Sequence, residues 1–256
     1  MSLGAGTLPA PDWPVLAPLP LSVVEQMALD EVLLDAVAAG ERGPCVRFWR
    51  WTQKALVLGS HQSVRNEVDP VAAAELGFAV VRRMSGGGTM VCEPGGTLTY
   101  SIYLPDSFVR GLSFVESFRA LDAWAVAALV ELGVPASYRP INDIVSPSGK
   151  IAGAAQARRR GAVLHHTTMA FATDPAIVPR LIRIGRPTLE ARGPRSAEKV
   201  VTPLSMFTPL ALEEVEAALT AAAGGPAATV TEAELEAARR LSATKYGTEE
   251  WRLRFP

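Results

Sequence analysis

At 256 residues, 48% of them hydrophobic and 20% charged, the chain has apolar material for one large mixed domain or two small ones. Its 25 basic and 26 acidic side chains leave a formal net charge of -1, which gives no footprint for nucleic acid or an anionic membrane. No apolar run approaches a membrane span, the start lacks the marks of a signal peptide, and Cys45 and Cys92 alone make no disulfide framework, so a soluble cytoplasmic protein is expected.

Residues 1–20 read as a proline-rich lead-in, with organised structure from Ser22 onward and a single domain over 21–256. Ser22 and Glu25 have capping-box spacing, and Val23, Met27, Leu34 and Ala38 share a helical face until Gly40 stops the run. Cys45 to Trp51 and Ala55 to Gly59 read as paired strands, Pro70 to Leu76 as a short helix ended by Gly77, and Phe78 to Val81 as a buried strand. Beyond a glycine-rich segment, Thr97 to Leu104 is again β-branched and aromatic, and Ser113 to Leu132 forms a second long helix closed by Gly133. Short strands are expected at Ile144-Val145, Ile151 to Gln156 and Val163 to Phe171, then alanine-rich helices near 209–223 and 231–242. Hairpin-like strands with separated helices predict an α+β fold, with largely antiparallel sheets flanked by helices.

Two clusters carry chemistry. The first is Arg82-Arg83-Met84-Ser85-Gly86-Gly87-Gly88-Thr89. Glycines let backbone N–H groups converge on an anion, and arginine offers a matching fork, although a glycine run is as often a plain turn. A strand rather than a helix follows, and neither the dinucleotide nor the P-loop spacing is present. The second cluster is Asn142-Asp143 with Lys150-Ile151-Ala152-Gly153-Ala154-Ala155-Gln156, then His165-His166. A lysine in a hairpin is usually just solvated, but four consecutive small residues in a strand forgo packing, which implies that something lies close to that backbone.

Other candidates are weaker. Adjacent His165 and His166 point to opposite faces of a strand and cannot share a metal. Cys92 has no base nearby in sequence, so a buried inert thiol is the default. Arg158-Arg159-Arg160 reads as a solvated run, or as a patch that docks an acidic protein.

Taken together and in order, Leu58-Gly59-Ser60-His61-Gln62, Arg82 to Gly88, Asn142-Asp143, Gly149 to Gln156 and His165-His166-Thr167-Thr168 resemble the lipoate-protein ligase A family, within the biotin/lipoate ligase superfamily. The resemblance spans roughly residues 20–170 and implies the class II biotin/lipoate ligase-like catalytic fold. It also implies an enzyme that activates lipoate or octanoate with ATP and Mg²⁺ to an acyl-adenylate. The acyl group would then move to a lysine of lipoyl domains, those of 2-oxoacid dehydrogenase E2 subunits and of the glycine cleavage H protein.

On that reading Lys150 is the catalytic residue, stabilising charge on the carboxyl and phosphate oxygens. Arg83, Ser85, Gly86, Gly87, Gly88, Thr89, Met90, Val91, Asn142, Asp143 and Lys150 would bind ATP and the adenylate. Lys150, Gly153 and His166 would bind lipoate, and Asp143 would hold Mg²⁺. The chain ends soon after Trp251, so the accessory C-terminal domain of longer ligases is expected as a separate small subunit. The resemblance implies two further readings. One is an octanoyltransferase that works without ATP through a cysteine; in one branch that cysteine lies where Asn142 stands here. The other is a non-catalytic lipoyl-carrier or effector-binding protein.

Overall fold

A computed structural model describes residues 12–191 and 193–255. Its strands are β1 (Trp13–Leu16), β2 (Cys45–Phe48), β3 (Ala55–Leu58), β4 (Ala79–Arg82), β5 (Met90–Cys92), β6 (Thr97–Pro105), β7 (Ser137–Arg139), β8 (Asp143–Ser146), β9 (Gly149–Arg159), β10 (Ala162–Ala170) and β11 (Gly224–Ala228). The helices are α1 (Val23–Ala38), α2 (Val64–Glu67), α3 (Pro70–Glu75), α4 (Phe114–Glu131), α5 (Val178–Leu181), α6 (Leu212–Ala223), α7 (Glu232–Leu241) and α8 (Glu249–Arg252). They build a mixed α+β fold around an eight-stranded sheet of order β11-β1-β2-β6-β10-β9-β8-β7 and a separate three-stranded sheet of order β4-β3-β5.

Side-chain alternation along the large sheet separates two cores. Val46, Phe48, Tyr100, Ile102, Leu104 and Val163 face α4 and α6, where Leu121, Trp124, Leu129, Val215 and Leu219 meet them. Cys45, Tyr103, Ala162 and Leu164 point the other way, toward Met27, Leu29, Leu33 and Leu34 of α1 and toward Val57 and Val81 of the small sheet. Helix α1 begins at the expected Ser22–Glu25 capping box. It is buried on far more than one face, because α7 and the turn at Ser242–Tyr246 cover its outer side.

Two strand expectations need correction. Organised structure starts before Ser22: Trp13–Leu16 lies parallel to both β2 and β11, a long-range pairing that no local pattern announces. Cys45 to Trp51 and Ala55 to Gly59 do not pair with each other. Strand β2 bonds to β1 and β6, whereas β3 bonds to β4 and β5, so the chain crosses at Trp49–Lys54 from one sheet to the other. That crossing opens the gap in which the site lies.

Arg82, fully buried, ties α8 to the turn at Gly59–Gln62. Its guanidinium donates to the carbonyls of Gly59 (3.0 Å), Gln62 (2.7 Å), Trp251 (3.1 Å) and Arg252 (2.8 Å). Trp251 Nε1 returns a bond to Arg82 O at 2.9 Å. Arg82→Leu would leave these acceptors without a donor, and the expected loss is about 3 kcal/mol, read as a lower urea midpoint at unchanged slope.

Candidate active site

Between the two sheets lies a cavity of about 230 Å³. One end is apolar, walled by Met27 of α1, Trp49 and Trp51 of the crossing, and Val57, Met90 and Cys92 of the small sheet. The other end is polar, with Asn142, Lys150 and Lys199. Strand register makes the floor: His166 sits opposite Ala155 and Thr168 opposite Gly153, so all four project from one face of the large sheet.

Lys150 explains the glycine in the run of small residues. Its ammonium folds back over Gly153, where a Cβ would come within 2.9 Å of Cε and closer still to Nζ. What lies near that backbone is therefore the lysine itself. Lys150 Nζ is 2.9 Å from Asp143 Oδ1, and Lys199 Nζ clasps Oδ2. Burial works against the Asp143 charge, but the two ammonium groups hold its carboxyl below the usual range. Burial likewise lowers Lys150, against the opposing pull of Asp143.

The glycine loop is braced from inside. Arg83 donates from Nε to Ser85 Oγ (2.9 Å), from one terminal nitrogen to Val57 O (2.9 Å), and from the other to Gly86 O (2.5 Å) and Gly88 O (2.8 Å). Four of the five N–H groups that a guanidinium owns are thus engaged within the protein. Gly87 has φ +90°, and a Cβ on Gly59 would overlap the Gly87 carbonyl, so both positions require glycine.

Ser85 Oγ lies 2.6 Å from His166 Nε2, and His166 Nδ1 lies 2.9 Å from Asp30 Oδ2. The other Asp30 oxygen receives Arg47 (2.6 Å), Tyr103 (2.5 Å) and Ser101 (3.1 Å). Burial opposes the charge on Asp30, yet Arg47 and the bonds from His166 and Tyr103 hold its carboxyl below the ordinary range. Burial also pushes His166 below the usual histidine value, despite the raising effect of Asp30. His165 faces the opposite core, 2.7 Å from Asp122.

The residues singled out from sequence divide as follows. Arg83, Gly87, Gly88, Thr89, Met90, Asn142, Lys150, Gly153 and His166 line the cavity. Val91 faces a neighbouring recess with Ile151 and Ile182, Gly86 turns its carbonyl to Arg83, and Ser85 stands behind the wall. Asn142 Nδ2 donates to Ala154 O at 2.5 Å. Asp143 offers Mg²⁺ no free carboxylate, and among the described residues no group of three His, Cys, Asp or Glu is placed to hold a metal. Arg83 and Asp143 are thus engaged within the protein rather than turned toward a phosphate or a metal.

Cys45 and Cys92 are both buried and free. Burial raises Cys45 to about 11 and pushes the Cys92 thiol higher still, so neither is a ready thiolate. Arg158–Arg160 lie at the far end of β9, eight residues and about 26 Å along the strand from Lys150. Arg159 is paired with Glu31 at 2.5 Å, so the run is not a docking patch beside the acyl site.

A loop missed in the sequence closes the mouth. Arg195, Ser196, Ala197 and Lys199 line the cavity. Ser196 receives Thr89 N–H at 2.9 Å and bonds to Glu67, and Lys150 N–H donates to Val200 O at 2.8 Å. The segment has no apolar period or glycine signature, so only the contacts reveal it.

Fold and cavity together define an acyl-handling enzyme of the biotin/lipoate ligase superfamily. The family model for the lipoyl protein ligase A/B catalytic domain matches residues 22–224, and the chain belongs to that family. It is similar to octanoyltransferase LipM of Symbiobacterium thermophilum, 29% identical over 90% of this chain and 94% of the relative. The LipM of Kyrpidia tusciae is 29% identical over 91% and 95%. Among solved structures, the fold matches a bi-partite lipoate protein ligase from Thermoplasma acidophilum, studied with its E2 lipoyl domain (TM-score 0.78, 25% identity, 95% of this chain and 96% of that one). The expectation of an ATP-dependent lipoate-protein ligase is overturned by these relatives, since proteins named octanoyltransferase match nearly the whole chain.

Gly153→Ala should push Lys150 off its seat, because the flexible lysine tip yields before the backbone does. Acyl-transfer activity is expected to fall roughly 10- to 100-fold. The denaturation midpoint, measured alongside, should barely move.

Proposed function

We propose that this enzyme transfers an octanoyl group from a thioester donor to the target lysine of a lipoyl domain, without consuming a nucleotide. The observation that carries the reading is the two-ended cavity, apolar from Met27 to Met90 and cationic at Lys150. An eight-carbon chain in the apolar end gains about 0.8 kcal/mol per buried methylene. Its carbonyl is then presented to Lys150. In the reaction the acceptor nitrogen forms a C–N bond, the C–S bond breaks, and the donor thiol leaves with a proton. Lys150 stabilises the negative charge that develops on the carbonyl oxygen.

The relatives named octanoyltransferase LipM support the octanoyl group, and the E2 lipoyl domain studied with the Thermoplasma ligase supports the acceptor. Cys92 is not the acyl carrier on this reading: it lines the apolar end, protonated, with no hydrogen-bonded base among the described residues.

The test mixes the purified chain with an octanoyl-carrier-protein thioester and a lipoyl domain, and follows acceptor mass. Octanoyl-lysine should form with no ATP present, Lys150→Ala should slow it at least roughly 100-fold, and Cys92→Ser should retain most activity. Product that appears only when ATP is supplied would reject the reading.

A further inference from the structure

A thioester has two limbs, and the reaction needs room for both. When the octanoyl carbonyl lies at Lys150 with its tail among Met27, Trp49 and Met90, the sulfur and the arm that carries it must leave the carbonyl in another direction. A second recess, of about 100 Å³, opens there. It shares Lys150, Thr168, Ser196 and Lys199 with the acyl cavity and continues past them among Val91, Ile151, Ile182 and Ile184, none of which lines the acyl cavity.

The recess suits a chain that contains amides. Thr89, Met90 and Val91 follow one another and all line it. Side chains of a strand alternate between faces, so it is the edge of β5 that borders the recess. That edge is unpaired among the described strands, since β5 is the outermost strand of the small sheet and bonds to β3 alone. A bare strand edge offers N–H and C=O groups to the amides of an extended ligand, while the isoleucines of the recess cover its methylenes. Where the two recesses join, Thr168 Oγ1 accepts from Thr99 at 3.1 Å, and its own hydrogen has no acceptor among the described residues.

Charge decides which substrate enters. The other candidate is the acceptor lysine, which arrives as an ammonium. Lys150 and Lys199 stand at the junction, and residues 180–199, which supply Ile182, Ile184 and Lys199, carry six basic residues and two acidic in a chain of net charge -1. Such a wall repels an ammonium and favours a departing sulfur that is gaining negative charge. We infer that this second recess holds the thiol-bearing arm of the octanoyl donor, a pantetheine-type chain of methylenes and amides. The inference rests on the acyltransferase reading above. The thiol freed when the C–S bond breaks leaves along the recess that its arm occupies.

The test compares two octanoyl thioesters with matched leaving groups, those of N-acetylcysteamine and of pantetheine, with lipoyl domain as acceptor and no ATP. In the wild type kcat/KM should be roughly tenfold or more higher for the pantetheine thioester, because the remote part of a bound substrate contributes to turnover. Ile184→Trp fills the recess from a residue outside the acyl cavity and should collapse that ratio to within about threefold. Val91→Trp, from another strand of the same wall, should do the same and covers misfolding of the first variant. Equal kcat/KM for the two thioesters in the wild type, or a ratio preserved in both variants, would overturn the inference. So would a raised KM for the lipoyl domain with the ratio intact, which would give the recess to the acceptor. A wild-type enzyme that transfers from neither thioester would instead remove the transferase reading, and the donor arm with it.

Discussion

One buried carboxylate organises the interior. Asp30 sits on α1 with almost no exposure, and its charge is tolerable only because Arg47, Tyr103, Ser101 and His166 all direct hydrogens at it. These partners come from β2, β6 and β10, adjacent strands of the large sheet. The carboxylate thus fixes how α1 lies on the sheet, and α1 in turn supplies Met27 to the cavity wall. The polar interaction that sets the helix also sets the tautomer of the cavity histidine, so the core and the site cannot be altered separately.

The two arginines ahead of the glycines follow the same logic. Their sequence suggests an anion trap, but Arg82 spends its donors on the last turn of the chain and Arg83 on the loop itself. A buried guanidinium is costly without partners, and loop carbonyls are the acceptors within reach. The glycines serve that arrangement. They permit the positive φ at Gly87 and its close approach to Gly59, which lets Arg83 reach the carbonyls of Gly86 and Gly88.

Much of this was legible before any coordinates. Helices α1 and α4 announce themselves through capping boxes at Ser22 and Ser113, local signals that tertiary contacts only reinforce. Within the small-residue run Ala152–Ala155 the implied close neighbour is found at Gly153, and alternation correctly separated His165 from His166. What escaped depended on distance along the chain. The pairing of β1 with β11 joins residues over two hundred positions apart, and the switch of sheets between β2 and β3 leaves no mark on two short strands that are equally buried. Lys199 reaches Asp143 from a segment without periodicity. The choice between ligase and transferase was hidden for a different reason. Both chemistries need a cation beside an acyl carbonyl, so Lys150 and its glycine are consistent with either.

The balance of charge around the cavity ties these features together. Arg83, Lys150, Arg195 and Lys199 line it, no acidic side chain among the described residues does, and Asp143 stands behind two of the cations. In a site of low dielectric, such a field favours the oxyanion and the departing thiolate, both of which are negative. It disfavours an incoming ammonium by the same amount of physics, and so lowers the effective pKa of an acceptor lysine that enters. A cationic acyl site therefore makes loss of the acceptor proton easier while making a neutral acceptor for that proton necessary. His166, kept uncharged by burial beside Asp30, adds no further positive charge to that field.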